Sequence, residues 1–115
     1  MRIGIGTDIE KVSRFESNLN NKSFLNKIFT QNELDYCFEK PKPAEHLTAR
    51  FAGKEATIKA YYSLFDKFIK YQDIEIVNDK NGKPILRLNE NIDCEISLSH
   101  TVDNAVAFVH LEKNE

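Results

Sequence analysis

The stretch FAGKEATIK, residues 51–59, sits in the middle of the longest helical pattern in the chain, which runs from about Ala44 to Tyr62. At roughly 100° per residue, Leu47, Phe51, Ile58, Tyr62 and Phe65 fall in one apolar stripe, and Glu55 lies within its angular range. An ionised carboxylate on an inward face is costly unless it is paired or holds a metal, so Glu55 needs a cation. Lys59, one turn on in the favourable Glu-to-Lys order, is the simplest partner. Arg50 and Lys54 are like charges four residues apart, which mildly destabilises a bare helix. Two readings of these three cations stand side by side: a solvated face, or a cradle for several phosphates.

Outward from this helix, RIGIGTDI (2–9) alternates with the period of a strand: Ile3, Ile5, Thr7 and Ile9 on one face, Gly4, Gly6 and Asp8 on the other. The glycine face leaves room for a ligand or for another element's backbone. Val12, Phe15 and Leu19 predict a helix within residues 10–20, and SFLNKIF (23–29) a short helical turn. Thr30 and Glu33 form a T-x-x-E capping box before Leu34, Cys37 and Phe38. SLFDKFIKYQ (63–72) reads equally as more helix or as loop. Beyond it, DIEIV (73–77) and PILRL (84–88) flank an Asn81-Gly82 turn, and CEISLS (94–99) and AVAFVHL (105–111) flank HTVDN (100–104), so two hairpins are predicted. Helices first and paired strands last make an α+β class, one small domain over residues 1–115: an antiparallel sheet, joined by the N-terminal strand, packed with one long helix and shorter ones.

Composition narrows the function classes. The 115 residues are 41% hydrophobic and 30% charged, which fits a globular protein with one core. A formal net charge of −2 argues against a general nucleic-acid binder, whose affinity rests on neutralising many phosphates. No apolar run approaches the ~20 residues of a membrane span, and MRIGIGTDIEKV has no signal-peptide pattern, so a cytoplasmic location is expected. Cys37 and Cys94 lie far apart without C-x-x-C spacing and read as buried thiols.

Asp8 is the second acid out of place. Taken alone it is an Asp near a strand end. With Glu55 and nearby cations it suggests Mg²⁺ bridging to a phosphate, since Mg²⁺ usually takes one or two carboxylates and keeps its waters. GIGTDI is not a dinucleotide fingerprint, because Ile9 stands where G-x-G-x-x-G needs glycine. In SLSHT (97–101), Ser99 and His100 are strand neighbours pointing to opposite faces, which disfavours a nucleophile pair. His100 reads either as a turn histidine or as a phosphate or base contact; His46 and His110 read as structural.

Taken together, GIGTDI (4–9), RFAGKEATIK (50–59), NGKP (81–84) and SLSHT (97–101) resemble, in this order, the motifs of the holo-(acyl-carrier-protein) synthase family, the short 4′-phosphopantetheinyl transferases. The resemblance covers most of the chain. It implies that Asp8 and Glu55 bind magnesium, and that Lys59 meets the transferred phosphate. It implies that Arg50, Lys54, Lys59 and His100 contact the coenzyme A phosphates, with Thr101 and the turn Asn81, Gly82, Lys83 and Pro84 completing the nucleotide pocket. Glu55 and Lys59 are then the candidate catalytic pair, with Glu55 as base, and Arg14 faces an apo acyl carrier protein. The implied reaction moves 4′-phosphopantetheine from coenzyme A to a carrier serine and releases adenosine 3′,5′-bisphosphate, in homotrimers with sites at subunit interfaces. Where the family carries a segment similar to L-G-T-G, this chain reads YYSLFDKF (61–68), and SNLNN (17–21) is poor in basic residues, which implies carrier recognition that is either weaker or shifted toward Lys22, Lys27 or a neighbouring subunit. The alternative reading is a catalytically idle module of the same fold that binds coenzyme A or a carrier without transfer.

Overall fold

Two residues along a strand advance about 6.8 Å and four along a helix about 6 Å, so every second residue of a strand can lie on every fourth residue of a helix. In the computed structural model, which describes residues 1–114, strand β1 (Arg2–Lys11) meets the long helix α4 (Pro43–Phe65) in this way. The match is close enough to exclude side chains from the strand. A Cβ added at Gly4 would stand 2.2 Å from the Ala60 carbonyl oxygen, and one at Gly6 1.9 Å from that of Ala56. The bare glycine face therefore receives helix backbone, not a ligand.

Between these elements lie α1 (Ser13–Glu16), α2 (Lys22–Ile28) and α3 (Gln31–Phe38); after α4 come β2 (Ile74–Asn78), β3 (Pro84–Leu88), β4 (Asp93–His100) and β5 (Asn104–Lys113). Both predicted hairpins form, β2 with β3 and β4 with β5. The strands divide into two antiparallel sheets rather than one, ordered β1-β5-β4 and β2-β3. The helix expected over residues 10–20 is a single turn, because β1 continues to Lys11, which pairs with Asn104, and the Val12 N–H then bonds the Asp103 carbonyl. The Thr30/Glu33 capping box forms as predicted at the start of α3. Helix α4 opens with Pro43 in its first turn and runs to Phe65, stopped by Asp66 in the left-handed region at φ 56°. The ambiguous segment thus divides into a last helical turn, a loop and a 3₁₀ turn at Tyr71–Asp73.

The single inward stripe expected for α4 is not what the helix has. One side, with Ala52, Ala56, Ala60 and Leu64, packs on the β1-β5-β4 sheet; another, with Ala44, Leu47 and Phe51, packs on α1–α3 around Phe15 and Phe29. A helix wedged between a sheet and a helical layer buries most of its circumference. Tyr62, predicted inward, is 45% exposed and stacks on exposed Phe68 with ring centroids 4.8 Å apart. Cys37 is buried and Cys94 half-buried; both are free thiols, pushed up to about 12 and about 11, mainly by burial.

Candidate active site

The antiparallel run of β1 along α4 carries Asp8 past the last close glycine contact to the helix edge. There the Lys59 ammonium donates to the Thr7 carbonyl at 2.9 Å and stands 3.4 Å from Asp8 Oδ1. Lys59 is therefore the partner of Asp8, not of Glu55 as the helical spacing suggested. Asp8 Oδ2 is buried without a hydrogen-bond partner. Glu55, half-buried on α4, instead accepts a hydrogen bond from the Tyr71 hydroxyl. Burial, with the hydrogen bond to and charge of Glu55, pushes the Tyr71 hydroxyl up to about 12, so it remains a donor across the physiological range.

A third carboxylate completes the cluster. Glu10 shares the strand face of Asp8, two residues on, and is pushed up to about 7 by burial first, then by the neighbouring Asp8 carboxylate and the charge of Glu55. Arg14, 3.9 Å from Glu10 and 4.9 Å above the Phe51 ring, works against that shift. The site holds more negative charge than its cations balance. It can relieve the excess by keeping a proton on Glu10 or by taking up a cation. Among the described residues no three or more His, Cys, Asp or Glu side chains are grouped to hold a metal ion. A cation here would rest on Asp8 and Glu55 with water filling its shell, which suits Mg²⁺. The orphaned Oδ2 of Asp8 fits such an ion.

Lys54 does not join the cation cradle. Its side chain and that of Glu33 are both 0% exposed and pair at 2.8 Å, and its ammonium also donates to the carbonyls of Tyr71 at 2.9 Å and Ile74 at 2.6 Å. Burial lowers the pKa of Lys54, and Glu33 opposes the shift. The other oxygen of Glu33 accepts the Ile76 N–H at 2.9 Å, so this buried pair is fully hydrogen-bonded.

Arg50 is also buried but points to the β2–β3 turn. Its guanidinium lies 4.2 Å above the Tyr36 ring and donates to Asn78 Oδ1, while its Nε is buried without a partner. Asn78 in turn bonds the Gly82 carbonyl at 2.9 Å, tying Arg50 to the predicted turn of Asn81, Gly82, Lys83 and Pro84. Asp79 closes the turn by accepting the N–H groups of Asn81 and Lys83, and Gly82 sits at φ 86°, where glycine alone is unstrained.

His100 and Thr101 lie elsewhere. His100 Nδ1 stands 3.2 Å from Glu45 Oε1 near the start of α4 and against the His46 ring; burial, then the charges of His100 and Arg50, hold His46 below its ordinary range. The Thr101 hydroxyl accepts the N–H groups of Asp103 and Asn104 within its own turn. Ten residues of helix separate Glu45 from Glu55, about 15 Å. Within one chain Asp8, Glu55 and Lys59 thus form one group, while His100 lies toward the start of α4 and is linked to Arg50 through the rings of His46 and Tyr36. Spacing missed Glu10 and Tyr71; the two-residue period from Asp8 could have found Glu10, but nothing local marks Tyr71.

A model of the 4′-phosphopantetheinyl transferase superfamily matches residues 4–109. The holo-(acyl-carrier-protein) synthase of Protochlamydia amoebophila is 40% identical over 94% of this chain and 96% of its own, and that of Geobacter sp. (strain M21) 38% identical over 98% and 100%. Among solved structures, the holo-(acyl-carrier-protein) synthase of Bacillus anthracis in complex with CoA (3′,5′-ADP) superposes with a TM-score of 0.84 at 37% identity, covering 96% of each chain. The Helicobacter pylori holo-(acyl-carrier-protein) synthase in complex with coenzyme A gives 0.78 at 28% identity, over 91% of this chain and 96% of that one. The chain belongs to the holo-(acyl-carrier-protein) synthase family and is, by that membership, a 4′-phosphopantetheinyl transferase. No helix among the described residues is long and apolar enough to cross a membrane.

Proposed function

We propose that this chain transfers 4′-phosphopantetheine from coenzyme A to a serine of an apo acyl carrier protein in a Mg²⁺-dependent reaction that releases adenosine 3′,5′-bisphosphate. The observation that carries the reading is the buried, unpartnered Oδ2 of Asp8 in a cluster with Glu10 and Glu55 beside the Lys59 ammonium. Asp8 and Glu55 would hold Mg²⁺, which when bound supplies neutralisation of charge on the phosphate oxygens. Lys59, with its side chain half exposed, would bind an oxygen of the transferred phosphate. Glu55 is the candidate base for the proton of the serine hydroxyl, taken up directly or through a water. The serine oxygen bonds to phosphorus as the bond to the bisphosphate breaks, so the work of the protein is alignment and charge stabilisation.

Arg50 and the turn Asn81, Gly82, Lys83 and Pro84 would hold the nucleotide end, while Lys54 braces the 3₁₀ turn at Tyr71–Asp73 from inside; Arg14 would meet the carrier. His100 and Thr101 would serve the site of a neighbouring copy. Supporting that association, Ile3, Ile5, Ile9, Val106 and Phe108 stand exposed on the outer face of β1 and β5, an apolar patch of the kind that marks an interface. A homotrimer is the expected assembly, and a fully active monomer would sink this part of the reading.

The first experiment incubates the protein with coenzyme A, Mg²⁺ and an apo acyl carrier protein and weighs the carrier by intact mass spectrometry. A gain of one phosphopantetheine group, abolished by a chelator, is expected. Coenzyme A binding without transfer to several apo carriers would favour an idle module.

A further inference from the structure

We infer that Tyr71 is a positioning residue for Glu55: its hydroxyl fixes one carboxylate oxygen and leaves the other open for a cation. This rests on the reading of Asp8 and Glu55 as the metal pair.

The Glu55 side chain turns about three single bonds, and an unfixed carboxylate must be ordered each time an ion binds. The Tyr71 hydroxyl donates to Oε1, and among the described residues no other donor reaches this carboxylate. Tyr71 is itself rigidly mounted. Its ring packs on Phe51 with centroids 5.9 Å apart, and its carbonyl accepts the Lys54 ammonium at 2.9 Å. Lys54 is locked in turn by Glu33 at 2.8 Å and by the Ile74 carbonyl, and Glu33 is locked by the N–H groups of Thr30 and Ile76. The buried ion pair therefore grips the short 3₁₀ turn from within, and the turn offers one polar group to the site. A phenylalanine would pack on Phe51 equally well, so what the hydroxyl adds is its bond to Glu55.

Tyr71→Phe removes that bond and keeps the ring and the main-chain grip. Its affinity for Mn²⁺, a paramagnetic stand-in for Mg²⁺ read by electron paramagnetic resonance, is expected to fall by about 10- to 100-fold, the usual effect of deleting a group that orients a metal ligand. In the transfer assay kcat should fall while KM for coenzyme A holds, and circular dichroism should show a folded protein. Asp8→Asn serves as the companion. If Mn²⁺ affinity falls in Asp8→Asn but not in Tyr71→Phe, the positioning role is overturned and the metal reading survives. If it falls in neither, both are overturned. A lower melting temperature for Tyr71→Phe with unchanged Mn²⁺ affinity and kcat would make the hydroxyl merely structural and also overturn the proposal.

Discussion

Lys54 and Lys59 stand five residues apart on one helix, each paired with a carboxylate from another element, and their environments are opposite. Lys54 and Glu33 are wholly enclosed, with close contacts to one another and to backbone groups. Lys59 is 56% exposed, its link to Asp8 is long at 3.4 Å, and the second oxygen of Asp8 has no partner. A pair whose bonding capacity is filled can only hold structure. A pair with capacity left over can bind something else. Burial alone thus does not tell which charge is free to bind a ligand; unfilled hydrogen-bonding capacity does.

The largest expected effect breaks the enclosed pair. Lys54→Met should cost about 3–5 kcal/mol in chemical denaturation, because Glu33 is left buried and uncompensated. Adding Glu33→Gln, which keeps the capping bonds, should give a total smaller than the sum of the single changes. Asp8→Asn tests the open pair: turnover should drop by ~10² or more with the fold intact. Equal turnover would remove Asp8 from the mechanism.

A third measurement sharpens the contrast through pH. Glu10 titrates near 7 in the folded protein against an ordinary 4.5. Between these values the folded state keeps a proton that the unfolded chain gives up, so metal-free stability should fall as pH rises from about 4.5 to about 7. Glu10→Gln in the presence of a chelator should flatten that slope; an unchanged slope would place the titration elsewhere. A smaller structural effect belongs to Lys59→Ala: Lys59 is 56% exposed but Asp8 only 12%, so the loss of stability should stay below that of Lys54→Met, while transfer is lost.

The features legible in the sequence are those with local causes. The Asn81-Gly82 turn needs a left-handed residue, the Thr30/Glu33 box satisfies the first amides of α3, and both appear where their residues stand. Asp8 and Glu55 were visible because a carboxylate on an inward-facing period needs a reason. The role of Lys54 was not visible, since a helical wheel assumes one buried face and α4 has two. For the same reason Tyr62 lies outside. The first helix shrank to a turn because strand pairing with β5, a partner some ninety residues away, outweighed local helical spacing.

By itself, then, the sequence determined the α+β class, both hairpins, the long helix and the family to which its motifs are similar, and it pointed to the two acids proposed here as the metal pair. These follow from backbone preference and from residue types that chemistry cannot place at random. Only the tertiary structure decided which lysine answers which carboxylate. Gly4 and Gly6 bring β1 onto the backbone of α4, and that contact sets Lys59 against Asp8 rather than Glu55. Likewise, the grip of Lys54 on the Tyr71 carbonyl belongs to a turn that reaches Glu55 with a hydroxyl from sixteen residues away. Pairings of this kind depend on distances across elements, and those arise only when the two sides of α4 are packed at once.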